Sequence, residues 1–333
     1  MSATARRRMP RLKRPEWRVR GRDLPRTALL IAGIAFVNFV IWALVTPPFE
    51  GPDEYAHVSY AVDLAERGKA PTPTSKGQFA SSEMIDALDA TSSFAIIRSD
   101  ASRPPWTDST RRGYEALVAR THPARDNGGG GNITSSTHGP VYYFLAALGY
   151  LIAGGSFFTR LFGMRVASAL LGAIAAACVY GTVRELIPRS RWPAIAAGLL
   201  VAFEPMFGFM SGVVNADNGI NCAAAALMFV LVRGMRRGFT LGLAAALPVV
   251  FVLGVFAKAT MLALAPAVAL GLLFALFRRR LGVRGIVVMA GSFVGIMLVW
   301  ALVAHLVGRP FLHLPNTPGP GAVGGGGATL GDK

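Results

Sequence analysis

Long apolar runs separated by short polar segments dominate the chain. The first, TALLIAGIAFVNFVIWALV over 27–45, is long enough as a helix to cross a ~30 Å hydrocarbon core. No comparable run follows until residue 161. From there apolar runs recur at 161–184, 192–210, 218–232, 240–256, 261–277 and 285–307. A weaker one, HGPVYYFLAALGYLIAGG over 138–155, has an apolar stretch of only about 16 residues, short for a span. The pattern predicts an all-α polytopic membrane protein with seven transmembrane helices. The 138–155 segment is expected to lie in or dip into the outer interface, with Tyr142, Tyr143 and Tyr150 as interfacial anchors. The competing eight-span count puts one basic cluster on the wrong side.

Charge sets the orientation. The leader 1–26 is strongly basic and Pro-interrupted, and RELIPRSR, RGMRRG and FRRRLGVRG separate alternate pairs of apolar runs. Placing all of these in the cytoplasm puts the N-terminus inside and the C-terminus outside. The junction ALVTPPFE offers no good signal-peptide cleavage site, so the first helix is expected to remain as an anchor. Residues 46–160 then form a large extracytoplasmic loop with juxtamembrane helices. That loop holds most of the acidic residues and carries a Gly run, DNGGGGNITSSTHGP, read as flexible. Six further spans fill 161–307, and 308–333 reads as a Pro/Gly-rich disordered tail. The expected location is the plasma membrane, with the active face extracytoplasmic.

Composition removes some alternatives. A formal charge of +16 and a pI near 10.9 would suit nucleic-acid binding. With 53% hydrophobic residues, a mean hydropathy of +0.45 and the Arg and Lys gathered beside apolar runs, the charge serves topology and no nucleic-acid partner is expected. The two cysteines, Cys178 and Cys222, lie inside apolar runs and form no disulfide framework or metal motif.

The densest polar cluster, TPPFEGPDEYAHVSYA, follows the first span. If a helix starts near Pro52, Asp53 and His57 fall on one face a turn apart. They can act as a base and its orienting partner or as two ligands of a divalent metal, while Asp53 can equally cap the helix and leave Glu54 as a solvated charge. A second cluster, FEPMFGFMSGVVNADNGIN, contains Glu204, Asn215 and Asp217. Acids beside a span suggest function, and turn and helix-cap chemistry is the plain alternative for Asn215 and Asp217. Glu204 can instead be satisfied by a hydrogen bond to a neighbouring helix. His138, in THGPVYY, reads as a substrate ligand or a loop histidine. Lys258 either snorkels or binds a phosphate. Arg160 and Arg165 stand on the outer side against the usual bias, as anchors or as ligands of an anionic headgroup.

Together PPFEGPDEYAH, STHGPVYYFLAALGY, RLFGMRVASALLGAIAAACVYGTVREL and EPMFGFMSGVVNAD occur in an order that resembles a bacterial family of predicted membrane proteins of unknown function, DUF2142. That family in turn resembles the GT-C glycosyltransferases, which take sugars from polyprenyl-phosphate carriers. The resemblance implies a GT-C-like module of about seven spans acting on a polyprenyl-phosphate sugar donor among membrane lipids. It implies that Asp53 is the first-loop acid that deprotonates the acceptor or helps bind a metal, with Glu54 beside it. Asp217 matches the second-loop acid near donor phosphate or metal, completing a possible metal set of Asp53, His57 and Asp217. His138 matches the histidine of an HPPLYY-like element, with Gly139 in place of proline. Tyr142, Asn215, Lys258, Arg160 and Arg165 are expected to contact substrate. Members are commonly longer, so acceptor-binding parts are absent or come from a partner protein. A lipid or solute transporter or flippase, and a non-catalytic membrane scaffold, are the alternatives.

Overall fold

The computed structural model describes residues 23–93, 106–131 and 133–309. The leader up to residue 22, Asp100 and the tail from residue 310 lie outside them. Among the described residues there are twelve α-helices and no sheet. Helix α1 (Asp23–Val45) leads into a folded segment of α2 (Glu54–Arg67), α3 (Ser82–Ala90), α4 (Asp108–Thr121) and α5 (Val141–Ala153). Then come α6 (Phe157–Leu186), α7 (Trp192–Phe203), α8 (Pro205–Ser211), α9 (Asp217–Arg237), α10 (Leu241–Ala257), α11 (Ala265–Phe277) and α12 (Val283–Leu306).

Among the described residues, five helices are long and apolar enough to cross a membrane: α1, α6, α9, α12, and α11 with the 3-10 turn before it. A bent pair, α7 and α8, makes six if it is one span; its axis turns by 60°. The bend falls where Pro205 forces Glu204 out of helical geometry (φ −65°, ψ 119°). The Glu204 carboxylate then caps α8, accepting from the Met206 amide at 3.2 Å and from Phe207. Its partner is this backbone, not a neighbouring helix. The hydropathy pattern predicts a further span near 240–256. The helix there, α10, has 17 residues and is short by length alone. Lys258 after its C-terminus pairs with Asp217 at the start of α9, and α10 packs against α9.

Helix α6 is the central post, packed against α1, α5, α7 and α9. Its Ala169, Ala173 and Ala176 meet Ile31, Ala35 and Phe39 of α1, the small-residue packing by which helices associate in lipid. Helices α5 and α6 cross at two glycines. A Cβ on Gly149 would sit 2.4 Å from the Gly163 carbonyl oxygen, and one on Gly163 2.3 Å from that of Gly149.

The segment between α1 and α6 has a true core. Tyr60, Met84 and Leu88 pack there with Tyr142, Tyr143 and Tyr150, each of the three α5 tyrosines at most 2% exposed. These tyrosines are therefore not interfacial anchors. Their rings face α2 and α6, and their hydroxyls bond within the protein, to Ser168 (2.7 Å), His57 (2.6 Å) and Glu66 (2.7 Å) respectively. The Gly run is also packed. Arg67 donates to the Gly128 carbonyl at 2.8 Å, and Gly130 (φ 59°) lies where a Cβ would come within 2.4 Å of Pro71. Its glycines serve close approach over buried Asp63.

Candidate functional site

The site is assembled on the loop-bearing face from the turn after α1, the start of α5, the turn before α9 and the residues that end α10 and α12. In PPFEGPDEYAH, Gly51 lies so close to Val213 that a Cβ would come within 2.8 Å of its side chain. Asp53 follows in a left-handed conformation (φ 53°), which Asp tolerates better than most residues. It occupies the N-cap position of α2, yet its carboxylate caps nothing. Asp53 is exposed, and its carboxylate makes no hydrogen bond or ion pair among the described residues. Capping, the plain reading of this residue, does not account for it.

Glu54 turns the other way. It is fully buried and accepts from Arg165 Nε and Nη2 at 2.8 and 2.7 Å and from the Val214 amide at 3.0 Å. Arg165 directs its remaining donors to the carbonyls of Ala43 (3.0 Å), Thr46 (2.5 Å) and Pro47 (2.8 Å). A bidentate pair of this kind is among the strongest polar contacts available, and it locks α1, α2, α6 and the turn before α9 together. Glu54 is thus a structural counter-ion, neither solvated nor open to substrate, and Arg165 has no donor left for a headgroup. Arg160 is engaged likewise, donating to Tyr150 Oη at 2.6 Å and Glu83 at 2.5 Å, with Glu66 3.7 Å away. Arg160 and Arg165 answer the acids of the segment between α1 and α6.

The second turn holds the first. Asn215 Nδ2 donates to the Pro52 carbonyl at 3.1 Å, and its Oδ1 accepts from the Asp217 amide at 2.9 Å. The Asn215 amide donates to Tyr142 Oη at 2.9 Å. Tyr142 and Asn215 are buried positioning residues, the turn chemistry that NADN suggests. Asp217 opens α9, where the helix dipole favours an anion, and it pairs with Lys258. Both remain partly open, with side chains 38% and 25% exposed.

At the start of α5, Gly139 explains its departure from proline. A Cβ there would lie 1.9 Å from the Phe256 carbonyl oxygen, so no other residue lets this turn reach α10. The rings of His138 and His57 stack at 5.9 Å, and His57 Nδ1 shares a 2.6 Å hydrogen bond with Tyr143. Burial first, then His138 and Lys258, push His57 down to about 3. Burial first, then Lys258, hold His138 down at about 4, against the opposing pull of Asp217 and Asp53. Both imidazoles are neutral at physiological pH. Lys258, Asp217, Arg309 and Asp53 all act on the half-buried ring of His138.

A family model for predicted membrane proteins, DUF2142, matches residues 36–323. The chain belongs to the DUF2142 family. The match contains every segment just described. No curated protein and no solved structure matches this DUF2142 chain.

This family member carries one site residue that its sequence concealed. Arg309, assigned by composition to the tail, is 6% exposed. It donates to Tyr60 Oη at 2.9 Å, to the Ser136 carbonyl at 2.5 Å and to the His138 carbonyl. Its Nε is buried without a partner among the described residues. A lone arginine after an apolar run reads as an end-of-span anchor; only the return of the chain onto α2, with the Ala70 amide donating to Val307 at 3.1 Å, reveals its place.

Among the described residues, no three His, Cys, Asp or Glu side chains gather as a metal-binding group. Asp53, His57 and Asp217 do not form the expected donor set. Lys258 already supplies a cation to Asp217, and His57 is tied to Tyr143. These residues do not fit a divalent ion.

Below the Asp217–Lys258 pair an apolar cleft of about 270 Å³ opens between Val141, Tyr142, Gly219, Leu253 and Ala257. A neighbouring one of about 160 Å³ shares Val141 and Leu253 and ends at Trp300.

Proposed function

We propose that this DUF2142 protein is a GT-C-type membrane glycosyltransferase. It moves a sugar from a polyprenyl-phosphate donor to an acceptor outside the cytoplasm, on a cell-envelope glycan, lipid or protein. In this reading α10 crosses as the seventh span, the basic turns face the cytoplasm of a plasma-membrane protein, and the site faces outward. The observation that carries it is the Asp53 carboxylate, held free in a left-handed turn beside His138 and the Asp217–Lys258 pair, above an apolar cleft. A general base, a cation for a phosphate and an isoprenoid-compatible groove meet at one place.

Asp53 takes the proton of the acceptor hydroxyl as that oxygen attacks the anomeric carbon. The bond from that carbon to the phosphate oxygen breaks on the opposite face, its electron pair leaves with the lipid phosphate, and the configuration inverts. Lys258, with Arg309 behind His138, stabilises the charge that grows on the leaving group. Neutral His138 offers a donor and an acceptor to sugar hydroxyls. Asn215, Tyr142 and the Glu54–Arg165 pair hold these groups in register.

The test is the purified protein in lipid vesicles with a panel of polyprenyl-phosphate sugars and acceptor glycans. Release of polyprenyl phosphate together with glycosylated acceptor is expected for one donor. Movement of an intact donor across the bilayer, with no bond broken, would establish a transporter instead. Asp53, Asp217 and Lys258 sit at helix ends, which favours the enzyme.

A further inference from the structure

The opposite, basic face of the bundle has a cavity of its own. It measures about 480 Å³ and lies where the ends of α6, α9 and α11 meet. Its polar wall is Arg236, Arg237, Arg278 and Arg280, and Pro188 and Phe274 give it an apolar side.

The frame around it is rigid. Glu185 at the end of α6 accepts from Arg233 and Arg237, each at 2.6 Å, fixing α6 to α9. The Phe239 amide donates to the Arg280 carbonyl at 2.8 Å, which pins the α11–α12 turn onto the α9–α10 turn. Glu185 is the one carboxylate lining the cavity, and it is already occupied by two arginines. Arg236, Arg278 and Arg280 have no carboxylate partner among the described residues; Arg278 only stacks over Phe274 at 5.4 Å. Orientation alone requires basic residues somewhere on this face. It does not require three uncompensated guanidiniums around a preformed hollow. Next to the hollow, Phe277 is 85% exposed.

We propose that this cavity binds the phosphodiester headgroup of an anionic phospholipid. The guanidinium donors match phosphate oxygens, and the Phe274 and Phe277 side receives the start of the acyl chains. The site is separate from the outer one and does not depend on the glycosyltransferase reading.

The experiment compares thermal protection of the purified protein by phosphatidylglycerol, by phosphatidylcholine and by soluble glycerol 3-phosphate. Wild type is expected to respond to phosphatidylglycerol at a concentration at least tenfold below that needed of phosphatidylcholine. The triple variant R236Q/R278Q/R280Q should lose that preference. The charge-matched triple R191Q/R279Q/R284Q, on the same face but outside the cavity, should keep it. Equal loss in both triples would overturn the site in favour of general charge. Absence of an anionic preference in wild type would also overturn it. Equal protection by glycerol 3-phosphate would assign the cavity to a free phosphate compound and refute the lipid. If the cavity triple fails to fold, single R278Q and R280Q variants carry the comparison, each weakening the preference about threefold.

Discussion

Glu54 and Arg165 set the clearest energetic prediction. Glu54 is completely buried, and Arg165 joins it through two bonds while closing on three carbonyls. Glu54→Gln keeps the shape and the carbonyl contacts but leaves a buried guanidinium without a counter-charge. Breaking a buried pair from one side costs about 3–5 kcal/mol, and this conservative change belongs at about 3. Arg165→Met strands a carboxylate and three carbonyls, so about 5 kcal/mol is expected. For a chain of this size these losses correspond to falls in Tm of roughly 6–12 °C and 10–20 °C. The paired variant Glu54→Gln with Arg165→Met removes both charges with the same two substitutions and should lose less than the sum by about 1–3 kcal/mol. Unfolding in nanodiscs can be followed with a thiol-reactive dye at Cys178 and Cys222, which lie within helices and form no disulfide. Single variants within about 2 °C of wild type, or strictly additive losses, would refute the reasoning behind that expected range.

Other expectations test different parts of the site. Lys258→Gln should lower sugar transfer about 10²–10³-fold while costing at most about 1 kcal/mol of stability, because its pair with Asp217 is partly exposed; a stability loss without a rate loss would count against it. Burial pushes Asp63 up to about 6, with Arg67 opposing. The folded state therefore holds a proton that the unfolded chain releases near pH 4, and this contribution falls as pH rises from about 4 to 6. Asp63→Asn should raise Tm at pH 7.5 and remove that dependence. His57 and His138 act in the opposite sense, their neutral folded forms losing stability as pH drops from about 6.5 toward 4. Gly139→Ala should destabilise the protein by several kcal/mol or block its folding, since the clash is with backbone; wild-type Tm would contradict the packing.

The long apolar helices were legible because a span needs little besides length and hydropathy. Helices α1, α6, α9 and α12 match the runs that predict them. The break at Glu204 was not, because the apolar run continues across it and only Pro205 marks it. The tyrosines of α5 misled because an aromatic belt and an aromatic core share composition; what separates them is whether α2 covers the rings. Arg160 and Arg165 looked like substrate ligands because their carboxylate partners lie about 77 and 111 residues away in the chain. Asp53 stood out in PDEYAH, yet its left-handed backbone and free carboxylate needed coordinates. Arg309 had no local signal at all, since its partners Tyr60, Ser136 and His138 are brought to it by tertiary folding.

The most direct test of the account is the transfer rate of Asp53→Asn beside wild type, in the same vesicles and with the same polyprenyl-phosphate sugar. Because the Asp53 carboxylate makes no structural bond among the described residues, Tm should stay within about 2 °C. Removing the base should cut turnover about 10²–10⁴-fold. A folded Asp53→Asn protein that transfers sugar at the wild-type rate would contradict the role given to this residue and, with it, the site.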